Sequence, residues 1–231
     1  MQKRSNYPRN RNLESENSLW NPLFLHYSFV IDAIKKYFLS LPRDRVLNIY
    51  DLGCGQKPYA VFAKNHKYIG IDIDEKNTNA DIIADITNLP LASNIADVVT
   101  SFFVLEHVVE PQKVIDEKYR ILKEGGELFM LVPLYWEEHE QPYDYFRFTR
   151  FALQNMLQKS GFKDIEINEV NANYSIIGMH LARLFDRKFF KVFIHLINYF
   201  FFRLELRCLK RARDKNITLS NVMTFKVRAK K

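Results

Sequence analysis

A chain of 231 residues, 47% of them hydrophobic, can bury a sizeable core and fits one domain better than two. Cys54 and Cys208 stand far apart with no metal or redox spacing, which excludes a disulfide framework and suits a reducing compartment. The net charge of +7 invites a nucleic-acid reading, but from Arg183 onward 14 Lys and Arg face 3 Asp and Glu, which leaves −4 for residues 1–182, so no polyanion is expected at a catalytic face.

The chain opens on a polar, basic stretch (Lys3, Arg4, Arg9, Arg11) with no apolar run of signal-peptide length behind it. Residues 1–18 are expected to form a mobile arm, and the protein to stay in the cytoplasm. From Pro22 to Leu41, Leu25, Phe29, Ile31, Ile34, Tyr37 and Phe38 recur at helical spacing until Pro42 ends the run. The run from Val46 to Asp51 reads as a strand that stops at Gly53-Cys54-Gly55, where two glycines let the backbone turn sharply and approach a ligand. Further strands are expected at Tyr68–Asp74, Ala80–Ile86 and Ala96–Phe103, with a loop at Asn88-Leu89-Pro90.

A helix over Pro111–Leu122 carries Pro111 in its first turn and Gly125-Gly126 as its stop, and a fifth strand over Glu127–Val132 ends at Pro133. Residues 135–149 then mix aromatic rings with titratable groups beyond a strand's carboxyl end, the place for a substrate loop. Thr149 reads as the N-cap of a helix running to Lys159 and stopped by Ser160-Gly161, followed by a sixth strand over Phe162–Val170. An apolar, basic helical insertion at 178–213 precedes the last strand, Val222–Arg228, which reads as an edge or antiparallel partner. The alternation specifies an α/β fold: a doubly wound, mostly parallel sheet of seven strands, the last antiparallel, with helices on both faces. The expected division is an arm and leading helix over 1–45 and one domain over 46–231.

Ligands in such a sheet sit beyond the carboxyl ends of the strands, where Asp51, Asp72, Asp85 and Ser101 all fall. One strand-end acid alone is more often a cap or turn residue, but four in register argue for a shared crevice. A dinucleotide site would want a third glycine where Pro58 stands, and Gln56-Lys57-Pro58 supplies neither the hydroxyl nor the spacing of a P-loop. A nucleoside ligand without a pyrophosphate remains.

Five stretches in order, Asp51-Leu52-Gly53-Cys54-Gly55, Gly70-Ile71-Asp72-Ile73, Ala84-Asp85 with Leu89-Pro90, Leu105-Glu106-His107-Val108 and Leu122-Lys123-Glu124-Gly125-Gly126-Glu127-Leu128, resemble class I S-adenosylmethionine-dependent methyltransferases. The likeness spans about residues 46–133 and implies the Rossmann-like form of the sheet. The stretch Pro142-Tyr143-Asp144-Tyr145 to Arg147-Phe148-Thr149 further resembles a branch of small bacterial methyltransferases associated with cell-surface saccharide pathways. The resemblance implies that Asp51, Gly53 and Gly55 shape the pocket for the methionine end of S-adenosyl-L-methionine. It also implies that Asp72 takes the ribose hydroxyls, that Ile73 lies against the adenine, that Asp85 and the Ile86 backbone read its amino group, and that Ser101 and Phe102 line the pocket near the sulfonium. Lys57 stands where the family often has a third glycine, and its side chain would either clash with the cofactor or reach its carboxylate.

Methyl transfer from a sulfonium is a direct displacement, which needs alignment and, for a hydroxyl acceptor, one base. His139 and His107 are the candidates; the alternatives are solvated surface for the first and a structural hydrogen bond for the second. Tyr143, Asp144, Tyr145 and Arg147 suit a hydroxylated or anionic acceptor, the alternative being a loop pinned by an Asp144–Arg147 pair. His139 and its glutamates lack an ordered ligand spacing, so no metal is expected. Bulky apolar residues flanked by Arg183, Arg187, Lys188 and by Arg203, Arg207, Lys210, Arg211 and Arg213 suit a helix lying on an anionic membrane, a lid, or a homodimer contact.

The leading expectation is an S-adenosylmethionine-dependent methyltransferase acting on an oxygen of a small or saccharide acceptor, lipid-linked if the insertion meets the inner face of the membrane. An RNA methyltransferase and a non-catalytic, cofactor-binding membrane adaptor are the other readings. No Asn-Pro-Pro-Tyr type motif favours base N-methylation.

Overall fold

The structure, a computed structural model, describes residues 12–76, 78–185 and 191–231. Residues 1–11 of the expected arm, and Arg187, Lys188, Phe189 and Phe190 of the expected insertion, lie outside the described residues.

Strands β1 (Asn48–Leu52), β2 (Lys67–Asp72), β3 (Ile82–Ile83), β4 (Ala96–Phe102), β5 (Leu122–Pro133), β6 (Lys163–Ala172) and β7 (Val222–Lys230) form one sheet in the order β3-β2-β1-β4-β5-β7-β6. The first five pair in parallel, and β7 runs antiparallel to both β5 and β6. The last strand is therefore inserted between its neighbours rather than placed at an edge, which covers backbone groups that an edge strand would leave open. The third run expected from the sequence pairs over Ile82–Ile83 alone. The fifth strand begins earlier than expected, at Leu122, because a register shift between Ala96 and Val98 lets the strand start before the two glycines.

Helix α1 (Leu13–Glu16) is a short turn capped by Asn12, whose side chain accepts from the amides of Glu14 and Ser15. This part of the expected mobile arm is thus folded, and Asn198 ties it down by donating to the carbonyls of Leu19 and Asn21 at 2.8 Å each. Helix α2 (Phe24–Ser40) covers one sheet face: Ile34, Tyr37 and Phe38 pack on Ile49, Val98, Phe129 and Leu131, and the Tyr37 ring stacks 3.9 Å from Phe129. The alternate residues Leu128, Met130 and Val132 face the other way, onto Val114 and Ile115 of α3 (Pro111–Ile121) and Leu153 and Leu157 of α4 (Arg150–Ser160). Strand alternation of this kind, apolar on both faces, is what a sheet sandwiched by helices requires. Thr149 caps α4 and Gly161 closes it at φ 100°.

The apolar insertion forms two helices, α5 (Asn173–Leu184) and α6 (Lys191–Asp214). Gly178 lets them meet: a Cβ there would strike Leu25 and lie 2.6 Å from the Phe201 Cβ. Glu205 of α6 accepts from the amides of Ala172 and Ser175 at 2.8 Å each, which caps the start of α5 where no local side chain does.

Candidate active site

A cavity of about 510 Å³ opens beyond the carboxyl ends of β1, β2 and β4. Its wall carries Asp51, Gly53, Gly55, Asp72, Ile73, Asp85, Ile86, His107, Tyr143 and Tyr145, so most of the residues singled out in the sequence converge on it. The glycine loop explains the shape. Gly53 adopts φ 78°, and a Cβ there would strike Val104; Gly55 adopts φ 51° and donates its amide to Asp72 Oδ2 at 2.9 Å. Asp72 Oδ1 accepts from the Asp74 amide at 3.1 Å, so two backbone donors aim this carboxylate at the end of β2. Each of its oxygens keeps a second lone pair for a ligand hydroxyl.

Asp51 is buried under the same wall, accepting from the Tyr68 hydroxyl at 2.5 Å and the Thr100 hydroxyl at 2.9 Å. Burial pushes its carboxyl up to about 6 in spite of those two donors. Behind it, burial pushes the ammonium of Lys118 on α3 down to about 7, against the attraction of Asp51 and Glu106. Neither Tyr68 nor Lys118 carried a recognisable signal in the sequence, because each looks like an ordinary strand or helix residue until the fold buries it.

Ser101 is buried and does not line the cavity; the neighbouring rings Phe102 and Phe103 do. The expected role of Ser101 at the cofactor is corrected accordingly. Lys57 follows neither course expected of it. At φ 53°, its ammonium pairs with both oxygens of Asp81 at 2.8 Å, and Asp81 also accepts from the Gly70 amide at 2.7 Å. Asp81 thus draws the lysine off the cavity wall.

The loop after β5 folds over the carboxyl end of β4, with the amides of Tyr145 and Phe146 donating to the Glu106 carbonyl at 2.9 and 3.2 Å. Arg147 is fully occupied: its five N–H donors meet Trp136 O, Phe146 O, Glu137 O and the two oxygens of Asp144. Asp144 also accepts from the His139 amide at 2.9 Å. The pair that was expected to grip an acceptor is therefore the clamp that shapes the loop, and neither residue lines the large cavity. His107 does line it. Its Nδ1 faces the Tyr143 carbonyl at 2.8 Å and its Nε2 faces His139 Nε2 at 3.1 Å, which places His139 one layer behind, in a small adjoining cavity.

Asp51, Asp72, Asp74, Asp85, Glu110 and Glu140 line the large cavity, and no Lys or Arg does so among the described residues. Such a wall repels a pyrophosphate and favours a ligand with cationic groups beside hydroxyls. The sheet order, the glycine turn and a backbone-held carboxylate at the end of β2 are those of the class I S-adenosylmethionine-dependent methyltransferase architecture.

Residues 50–130 match the family described as the methyltransferase domain. Demethylmenaquinone methyltransferase of Paenarthrobacter aurescens is 46% identical over 54 residues, 23% of this chain and 21% of that protein. Ubiquinone biosynthesis O-methyltransferase of Pseudomonas entomophila is 32% identical over 85 residues, 37% of this chain and 34% of that protein. This chain thus spans only a fifth to a third of the length of these two relatives. Among solved structures, phosphoethanolamine N-methyltransferase 2 of Haemonchus contortus, in complex with S-adenosyl-L-methionine, superposes with a TM-score of 0.58 at 17% identity, over 97% of this chain and 61% of that one, a likeness of fold. Residues 50–130 thus carry the match to a methyltransferase domain, and the fold around them is the class I S-adenosylmethionine-dependent methyltransferase fold. The chemistry of the cavity suits that cofactor: acids line a wall that would face its sulfonium and amino groups, and Ile73, Ile86 and Phe102 add apolar surface for a flat ring.

Proposed function

We propose that this chain transfers a methyl group from S-adenosyl-L-methionine to an oxygen of a small hydroxylated acceptor, saccharide in class and lipid-linked, at the inner face of a membrane. The observation that carries the reading is that Tyr143 and Tyr145 line the same cavity as Asp72 and His107. Two rings on one wall suit the apolar face of a sugar. When bound, the cofactor supplies an electrophilic methyl group. The chain's own residues then have three tasks: Gly53, Gly55, Asp51, Asp72 and Asp85 hold the cofactor, Tyr143 and Tyr145 hold the acceptor, and His107, backed by His139, stands where an acceptor hydroxyl would release its proton.

The membrane part of the reading is supported by α6, where Val192, Phe193, Leu196, Tyr199 and Phe200 are exposed and Arg203, Arg207, Lys210, Arg211 and Arg213 follow. No helix among the described residues is long and apolar enough to cross a membrane, so the contact would be peripheral. RNA is the weaker partner because the cavity wall is acidic and would repel phosphates.

Calorimetric titration of the purified chain with S-adenosylmethionine and S-adenosylhomocysteine, with NADH as control, tests the cofactor step. Asp72→Ala is expected to weaken binding of both by at least about 10-fold, since a charge-assisted pair of hydrogen bonds is lost. Unchanged affinity would remove Asp72 from the ribose site. Turnover on envelope saccharides separates an enzyme from a cofactor-binding adaptor.

A further inference from the structure

Beside the large cavity lies a second one, about 50 Å³, whose lining includes Glu106, His107, His139 and Glu140 together with His26 and Trp136. We propose that it is a binding site for one divalent transition-metal ion of the zinc type, ligated by His107 Nε2, His139 Nε2 and the Glu106 carboxylate.

Two independent features point to the ion, and a third follows from the first. The first is the hydrogen placement on the rings. His107 Nδ1 stands 2.8 Å from the Tyr143 carbonyl, which only accepts, so this nitrogen carries the hydrogen and Nε2 presents a lone pair. His139 Nδ1 stands 3.2 Å from both the Glu137 carbonyl and an Asp144 carboxylate oxygen, nearer than the Arg147 guanidinium at 3.5 Å, and is likewise the protonated nitrogen. The two Nε2 atoms nonetheless face one another at 3.1 Å. Two lone pairs at that distance repel unless an added proton or a metal cation lies between them, and nitrogens about 2.0–2.1 Å from a tetrahedral zinc are separated by roughly 3.3 Å, close to the spacing seen.

The second feature is Glu106. Its side chain is wholly buried, and among the described residues no group other than its own backbone amide comes near enough to donate to its carboxylate oxygens. One of them is 3.9 Å from His107 Nε2, and one donor atom from each of the three residues falls within 4.8 Å of the others. Arg147 and Lys118 act on Glu106 from a distance as positive charges, and Asp144 and Glu140 as negative ones. A buried carboxylate is costly; burial pushes this one up to about 8, so it holds a proton when no cation is near, and a coordinated cation would take that proton's place.

The third feature lies one shell out. Histidine ligands of a metal ordinarily donate their other N–H to a carbonyl or carboxylate, which fixes the ring and raises its basicity. Both rings here do so. Two histidines and one carboxylate leave a position open, as catalytic zinc sites do, and Glu140 borders both this cavity and the large one. Ion binding does not depend on methyl transfer; only its use does. If the acceptor reading holds, a bound ion would take over from the rings the task of making an acceptor hydroxyl acidic. The residues come from two separated stretches, Glu106-His107 and His139, which is why no ligand spacing is visible in the sequence.

The test is calorimetry of the full chain, freed of metal by chelator and dialysed, titrated with zinc chloride and, as control, magnesium chloride, with no cofactor present. One zinc per chain is expected and no saturable magnesium binding. Glu106→Gln and His139→Gln should each weaken zinc at least 10-fold while circular dichroism reports a folded chain. Cobalt(II) provides a second readout: visible absorption typical of a tetrahedral ion, lost in His139→Gln. Should Glu106→Gln fail to fold, His139→Gln decides alone, its residue lying on the loop. Absence of zinc binding by the folded parent, or equal affinity in parent and His139→Gln, overturns the site. So does a pair of imidazoles that shares one proton by nitrogen NMR while zinc is present. A failure here leaves the S-adenosylmethionine titration untouched, so the two readings fall separately.

Discussion

Asp51 shows how one residue can link the glycine loop to stability. It titrates at about 6 in the folded chain against an ordinary value near 4, so the folded state keeps a proton that the unfolded state has lost. Stability contributed by this group therefore falls as pH climbs from about 4 to about 6 and stays lower above that. Asp51→Asn removes the ionisation while its amide can still meet the Tyr68 and Thr100 hydroxyls. The stability of the variant relative to the parent is expected to rise by up to about 3 kcal/mol between pH 4 and 7, read as urea unfolding at matched pH. A flat difference would mean that Asp51 is not protonated in the folded chain. The sequence marked Asp51 as a strand-end acid but could not mark it as buried, because burial depends on Tyr68 and Thr100 from two other strands.

At the scale of elements, the loop after β5 and the helix pair α5–α6 are each held by one polar clamp. Asp144 has a side chain only 4% exposed, and although burial works against it, Arg147 and the His139 amide hold its carboxyl down at about 2. Arg147→Ala strands that carboxylate and should cost about 3 kcal/mol by urea unfolding while loosening the loop that carries Tyr143 and Tyr145. In the helix pair, Glu205→Ala deprives the amides of Ala172 and Ser175 of their acceptor. A loss of about 2–4 kcal/mol is expected, with Glu205→Gln recovering part of it through its one remaining acceptor oxygen. An uncapped but equally stable Glu205→Ala chain would show that α5 is held by packing alone. Local spacing announced α3 and α4 well, through Pro111, Thr149 and Gly161. It merged α5 and α6 into one insertion, because the features that separate them, the close approach at Gly178 and the cap from Glu205, are contacts between distant residues.

Over the whole molecule, charge and apolar surface are divided: the cavity wall is acidic, while the basic residues follow the exposed apolar face of α6. If that face meets an anionic bilayer, the parent should float with phosphatidylserine-containing vesicles and be released by salt, and a Phe193→Glu/Phe200→Glu double variant should stay in the soluble fraction with unchanged cofactor affinity. Equal flotation of parent and variant would assign the face to another contact. The sequence by itself determined the alternation of strands and helices, the stop of α4 at Gly161, the glycine turn, and the acids at Asp51, Asp72 and Asp85, because periodicity, capping and turn chemistry act between residues close along the chain. Only the tertiary structure decided that β7 inserts beside β5, that Ser101 is buried off the cavity wall, that Lys57 is drawn to Asp81, that Asp144 and Arg147 pair with each other and with the loop's own backbone, and that His107, His139 and Glu106 meet. Each of these is a competition among partners brought together by folding, and its outcome depends on distances that no local pattern encodes.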